Sequence, residues 1–437
     1  MKEKSPFAAF ARYASLNMLG MLGVSLYVLT DTFFIARGLG EDGLVALNLA
    51  LPVCNFVFGA GLMLGVGGST KYVIARSRGQ DREAEAVFRG TLLSAAAISA
   101  VMMLAGALCS RQITALLRAD ARVFEMTDTY LKTILLFTPA FVLQQIFVSF
   151  TRSDGAPGLS MAAVLAGSLC NILFDYLFIF PLHMGIFGAV LATVFSPLIG
   201  LAILSFRRKK AGFRLKKGPV PAKLLGSILA LGAPSMISEV AAGVVMIVLN
   251  LLLLRLRGNV AVAAYGVIAN IAIVVTSLYN GVAQGTQPLM SGAYGRGEKG
   301  GAERFLAYAL GASAVLTALI DAVMLLFAGP VAAVFNKAAD PVMQELAVRG
   351  LHLYFSGILF AGANTVLGAY FTATERPLPA QTVSLMRGFA VVLPMAFVLS
   401  ALLGLDGVWL TVPVSEAITA AAALTMLFVG KKRRSAA

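Results

Sequence analysis

Charge is what this chain lacks most. Asp, Glu, Lys and Arg make up 13% of its 437 residues, against about 25% in soluble domains. With 59% hydrophobic residues and a mean hydropathy of +0.85, a water-soluble fold of this length is excluded. The three cysteines, Cys54, Cys109 and Cys170, lie within or at the edge of apolar runs and have no paired spacing. They read as small core residues, not as a disulfide or metal framework. The two histidines, His183 and His352, stand alone, and each suits an interfacial or packing role. There is no zinc-spaced His/Glu cluster, no phosphate loop and no supported Ser/His/Asp arrangement, so neither an enzyme nor a cofactor is expected. Met1 to Tyr13 is short, polar and basic and runs straight into an apolar segment, unlike a cleavable signal peptide.

Long apolar runs are what the chain does have. Taking about 20 residues as one membrane crossing, spans are expected near 14–36, 47–70, 90–110, 129–150, 159–181, 185–205, 224–254, 262–290, 305–330, 345–372, 379–401 and 407–429. Only short polar stretches separate them, which leaves no room for a soluble domain. The fold class expected is all-α and integral to the membrane, with twelve transmembrane helices.

The formal net charge of +14 could suggest nucleic acid in a soluble chain. Here the basic clusters, Lys2 to Arg12, Lys71 to Arg89, Arg207 to Lys223, Arg296 to Arg304 and Lys431 to Arg434, all fall on one face of a twelve-span protein. The opposite loops hold most of the loop acids, among them Glu41, Asp42, Asp120 and Asp128. The positive-inside rule then places both termini in the cytoplasm of a multi-pass plasma-membrane protein. The basic excess becomes topology plus attraction to anionic headgroups, and nucleic acid is not an expected partner.

Phe206 to Lys223 (FRRKKAGFRLKKGPVPAK) is the longest charged stretch and ends near Pro219 and Pro221, which disfavour helix. It divides the chain into 1–205, a basic linker 206–223, and 224–437. A shift of 218 positions superposes Arg37 on Arg255, Gly40 on Gly258, Ala46 on Ala264, Gly79 on Gly297 and Glu85 on Glu303. A shift of 219 superposes Gly185 on Gly404, Gly188 on Gly407 and Ser196 on Ser415. Six spans per repeat give two parallel six-helix bundles related by a pseudo-two-fold axis along the membrane normal. Such halves rock about a site near the midplane.

The halves differ in their polar residues. Asp31 lies inside the first apolar span and Asp175 inside the fifth, deeper in its span and flanked by Phe174, Tyr176, Phe178 and Phe180. A carboxylate at a helix centre costs roughly 2.5–3.5 kcal/mol on insertion scales. Their counterparts in the second half are Leu249 and the stretch Ala390 to Phe397, which has neither acid nor amide. The asymmetry points to an ion site in the first bundle. The plain alternative for Asp31 is an interfacial pair with Arg37.

These residues resemble the multidrug and toxic compound extrusion (MATE) transporters almost end to end. SLYVLTDTFFIARGLG (Ser25 to Gly40) looks like the opening signature, and GLMLGVGGSTKYVIARSRGQ (Gly61 to Gln80) the end of the second span. GAPSMISE (Gly232 to Glu239), GVAQGTQPLMSGAYGRG (Gly281 to Gly297) and GLDGVWLTVPVSE (Gly404 to Glu416) follow in the family's order. The resemblance implies export of organic cations or amphipathic compounds driven by inward H⁺ or Na⁺, by a chain that works alone. It also implies a cation cavity lined by Asp31, Asn171, Asp175, Thr193 and Tyr130. Where a family Asn is expected on the fourth span, this chain has Gln144 and Gln145.

The residues support that cavity on their own terms. Asn171 and Asp175 are four apart and share a helical face. For Na⁺ as the metal, Asp31, Asn171, Asp175 and Thr193 could supply several hard oxygens. The same carboxylates, desolvated and close together, could instead exchange protons near neutral pH. Tyr130 could be an interfacial belt residue, Asn171 a helix-packing amide and Thr193 a hydroxyl bonded to its own helix.

A cationic amphipathic substrate needs apolar walls with a few acids or acceptors. Asp31, Asp175 and Gln145 from the first half, with Glu239, Asn250 and Gln284 from the second, are the candidate lining, and Gln287 and Asn280 add polar points. Glu239 could alternatively snorkel to the interface. Asp321 and Glu416 suit packing or interface roles, and Lys132 and Arg387 are candidate counter-charges for these or for Asp120. Glycines between Gly59 and Gly68, with Gly281 and Gly285, allow close helix approach, and Gly20, Gly23 or Pro139 could bend. The rival function is a lipid-linked oligosaccharide flippase, but that would call for a strongly cationic central cavity.

Overall fold

The computed structural model describes residues 5–206, 210–336 and 339–435, with side chains as far as Gly430. Lys2, Lys4, Arg207 to Lys209 and the side chains of Lys431 to Arg434, all named in the basic clusters, lie outside the described residues. Fourteen helices and one π-helical turn follow one another, with no strand among the described residues.

The first half contains α1 (Pro6–Ser77), α2 (Asp81–Leu116), α3 (Phe124–Leu136), α4 (Thr138–Ser153), α5 (Pro157–Ile179) and α6 (Gly185–Ser205). The second contains α7 (Ala222–Arg257), α8 (Asn259–Gly295), α9 (Gly301–Phe335), α10 (Pro341–Phe355), α11 (Ile358–Ala373), α12 (Pro377–Leu385), α13 (Val392–Leu403) and α14 (Leu405–Ser435). The π-helical turn Met386–Ala390 joins α12 to α13.

At 72 residues α1 would run about 108 Å at 1.5 Å per residue, several times a bilayer core of about 30 Å. Gly40 resolves this with φ 68° and ψ −157°, a conformation inside α1 that ends one arm, 6–39, and starts another, 41–77. That region is essentially closed to residues with a Cβ. Gly258, between α7 and α8, has φ 69° and ψ −157°, so the 218-residue repeat extends to backbone torsions.

Two expected single spans are broken. α3 and α4 meet at 50° and α10 and α11 at 46°. In the first, Pro139 lacks the N–H that would continue the ladder. In the second, Gly357 lies against Pro413, where a methyl would stand 2.5 Å from the proline Cα. Counting the two arms of α1 separately and each bent pair once gives twelve crossings among the described residues. This is an all-α integral membrane protein of two six-helix bundles. Gly20 and Gly23 do not break their helix.

Small residues let the bundles meet. A methyl on Gly232 of α7 would lie 1.8 Å from the Met63 carbonyl oxygen, and one on Gly67 would lie 2.1 Å from that of Ile228. Gly281 and Gly285 of α8 press in the same way on Met18 and Tyr13 of the arm 6–39. Polar bonds along this seam join Asn17 Nδ2 to the Gly281 carbonyl at 3.0 Å and Gln287 Nε2 to Thr70 Oγ1 at 3.0 Å. All of these positions lie toward the linker face, far from Gly40 and Gly258.

The described part of the linker is docked on the first bundle. Phe213 is buried against Phe88 and Phe150, with ring centroids at 5.0 and 5.6 Å. Arg89 donates to the carbonyls of Lys216 and Pro219, both at 2.6 Å, and Gly212 N–H donates to Asp154 Oδ2 at 2.9 Å.

Candidate functional site

The arm 6–39 packs on α5 through residues without side chains. A methyl on Gly23 would stand 2.5 Å from Leu165 Cδ2, and one on Gly38 would stand 2.3 Å from Ile179 Cγ2. That close approach brings Asp31 face to face with Asp175, whose carboxyl lies within hydrogen-bonding reach. Asp31 is 8% exposed and Asp175 fully buried. Asp31 does not pair with Arg37, which is exposed on the other side of the helix. Asp175 is not the deeper acid expected from the sequence: α5 ends at Ile179, one turn later, so both carboxyls sit in the half of the membrane away from the linker.

Asn171 and Thr193 complete the cluster. With its amide nitrogen turned to Asp175, Asn171 donates to Asp175 Oδ2 at 3.2 Å, and its carbonyl accepts from Thr193 N–H at 3.3 Å. The neighbouring groups require this orientation. Thr193 Oγ1 donates to the Ala189 carbonyl at 3.2 Å, the back-bond expected of a helical threonine, and lies near the Tyr130 hydroxyl. Tyr130 is 3% exposed, so it is a core residue of the first bundle and not a belt residue. The five residues of the cation list are therefore together.

Two oxygens stand out. Asp31 Oδ1 and Asp175 Oδ1 are buried and bonded to no protein group. A buried acceptor without a partner is costly, and here two such oxygens belong to neighbouring carboxyl groups. The Thr193 hydroxyl donates its hydrogen and keeps its lone pairs, so it can add an oxygen to those of the two carboxylates.

Tyr27 was not singled out from the sequence, and Cys54 was read only as a small core residue. Tyr27 lies in the neighbourhood of Asp31, Asp175 and Glu239, and Cys54 in that of Asp31. Tyr27 is one helical turn before Asp31, a spacing that places it on the same face and could have flagged it. Cys54 comes from the other arm of α1, and no sequence spacing reveals it.

The second bundle contributes differently. Glu239 packs at Gly59, whose methyl would stand 3.2 Å from its Cβ, so it faces the first bundle instead of the interface. Asn250 and Gln284 are half-buried, and among the described residues no hydrogen bond joins them to Glu239. Gln145 packs on Gly61 and Gly65, and Gln144 on Gly200 of α6. The substrate list is thus dispersed between the two bundles and is not one cluster.

Glu416 is paired. Arg387 Nε donates to its two carboxylate oxygens at 2.9 and 3.0 Å, and Asn364 Nδ2 donates to Oε2 at 2.7 Å. Arg387 Nη1 also donates to Thr365 Oγ1 at 3.0 Å. Lys132 and Asp321 form no ion pair among the described residues, and Asp120 caps its own turn by accepting from the Arg122 and Val123 N–H groups. His352 bonds the Met324 carbonyl at 3.1 Å, and no disulfide joins the three cysteines.

The sequence model of the MatE family matches residues 17–177 and 234–398, once in each half. The chain belongs to the MatE family. A curated relative of this MatE protein is the multidrug export protein MepA of Staphylococcus aureus, 27% identical over 448 residues, covering 99% of this chain and 96% of MepA. The MepA of Staphylococcus saprophyticus is 26% identical over the same shares. Among solved structures, a MOP-superfamily transporter from Pyrococcus furiosus superposes with a TM-score of 0.91 at 21% identity, covering 99% and 97% of the two chains. An outward-facing multidrug resistance MATE transporter superposes with a TM-score of 0.90 at 22% identity and the same coverage. At these identities the structures establish the shared fold.

Proposed function

We propose that this MatE protein exports organic cations and related amphipathic compounds by alternating access, coupled to inward movement of a small cation. It would act in the plasma membrane with both termini inside. The observation that carries the coupling is the pair of unbonded carboxylate oxygens on Asp31 and Asp175. Two facing carboxylates can be held together by a shared proton or by a cation between them. We take the proton as the coupling ion because two facing carboxyl groups readily share one; the Thr193 hydroxyl, which donates to Ala189, keeps its oxygen lone pairs, so Na⁺ is the alternative that the gradient test decides.

Drug export is supported by the naming of the MepA relatives as multidrug export proteins, and cationic cargo by the intramembrane acids Asp31, Asp175 and Glu239. The intramembrane cation Arg387 is tied to Glu416, so it adds no free positive charge of the kind a pyrophosphate head would need. Every residue of this reading belongs to one chain, and it requires no second subunit. The test is expression in an efflux-deficient host: resistance to several lipophilic cationic dyes should rise, and resistance to none of them would end this reading.

A further inference from the structure

We propose that Glu375, gripped by Lys71 and Arg78, is a latch that holds the two bundles closed at the linker face. The inference rests on the alternating-access reading above, since a latch needs a second state to release.

Glu375 lies in the turn between α11 and α12. Its two oxygens take different cations from the first bundle: Lys71 Nζ stands 2.5 Å from Oε1 and Arg78 Nη2 stands 3.2 Å from Oε2. The Lys71 and Glu375 side chains are 21% and 18% exposed, so salt screens the pair less than an open surface bridge. Around it run the other polar bonds of the seam. Arg152 Nη1 donates to Asn17 Oδ1 at 2.6 Å, Asn17 in turn donates to the Gly281 carbonyl, and Gln287 donates to Thr70. A cavity of about 270 Å³ opens on the same seam between Tyr72, Arg76 and Asp154 on one side and Pro288 and Arg296 on the other. Separating the bundles on this face must break both contacts of Glu375.

The backbone supplies an independent sign. Glu375 has φ 55°, in the left-handed region that disfavours residues with a Cβ. The matching turn of the first bundle, between α4 and α5, carries Gly155 with φ 86° at that position. The two turns are bonded alike. Gly155 N–H donates to the Arg152 carbonyl and Ala156 N–H to that of Thr151; Glu375 N–H donates to the Thr372 carbonyl and Arg376 N–H to that of Phe371. The turn therefore works with glycine, and its strain-free form is present in the same molecule. A glutamate there accepts backbone strain, as residues at switch points do, and what it gains is the double contact across the seam.

A zero-length carbodiimide applied to the full-length protein in proteoliposomes should yield a Lys71–Glu375 amide crosslink, found by mass spectrometry, and should arrest transport. Spin labels at Glu83 and Lys299, on opposite sides of the linker face, then report the seam distance in protein with its native cysteines replaced. Glu375→Gln should raise the long-distance population several-fold. Glu375→Gly should do the same while relieving the turn, which separates lost charge from a folding defect, and Glu375→Asp should keep the short distance. No crosslink, or an unchanged seam distance in both Gln and Gly variants, overturns the latch. Asp175→Asn, which tests the ion site, should leave the crosslink intact, so the two readings fail separately.

Discussion

Asp31 and Asp175 meet across the seam of α1 and α5, each with one carboxylate oxygen that no protein group bonds. Acids at membrane depth are expensive, and this pair is held there by glycine-mediated packing of one helix on another. The same packing that forms the bundle thus forms the site.

Replacing either acid by its amide should remove coupling and leave the fold. In Asp31→Asn and in Asp175→Asn, dye resistance in an efflux-deficient host should fall to the level of the empty vector with normal membrane expression. Full resistance in both variants would remove these residues from the mechanism.

Asn171 acts on the pair through Asp175. Asn171→Leu withdraws the donor to Oδ2 at 3.2 Å, leaving a second oxygen unmet at a cost of about 1–3 kcal/mol. The apparent affinity for the coupling ion should shift while maximal rate at saturating gradient changes less, as read from initial rates over a series of gradients. Tyr130→Phe removes a hydroxyl near Thr193 without unpairing a carboxylate oxygen and should shift it less.

Gly40 and Gly258 set the entry angle of four helices. Gly40→Ala and Gly258→Ala should each destabilise by about 1–3 kcal/mol, the cost of a non-glycine residue in that backbone region. Thermal unfolding in detergent checks this against Gly266→Ala. Gly266 lies inside α8 with nothing within 4 Å of a methyl, and alanine there should be neutral or slightly stabilising.

The Arg387–Glu416 pair should behave as structure and not as a coupling site. Arg387→Gln alone leaves a buried carboxylate unpaired and should cost about 3–5 kcal/mol, whereas Arg387→Gln with Glu416→Gln should recover most of it. Dependence of transport on the ion gradient should be unchanged in the double variant. A double variant that lost that dependence would bring the second bundle into the coupling mechanism.

The repeat was legible because glycine positions carry backbone geometry. Gly40 and Gly258 match in sequence at 218 residues and in torsion to within a degree. The i, i+4 pair Asn171 and Asp175 was legible for the same local reason. What spacing could not convey was contact between distant helices. Sequence named Arg387 and Glu416 without joining them, missed Cys54 beside Asp31, and placed Asp175 too deep because the apolar run continues through Phe180 and Pro181, past the helix end at Ile179. The contact of Lys71 with Glu375 was likewise hidden: the two lie 304 residues apart, and no local spacing joins them. The bend at Pro139 was signalled by its chemistry, but the one at Gly357 depends on Pro413 pressing from another helix.

The most direct test is dye export from proteoliposomes with the proton gradient and the Na⁺ gradient imposed one at a time, in the parent protein and in Asp175→Asn. A proton gradient alone should drive export in the parent, a Na⁺ gradient alone should not, and Asp175→Asn should respond to neither. Export that ignores the proton gradient, or that survives it unchanged in Asp175→Asn, would contradict a proton shared between Asp31 and Asp175.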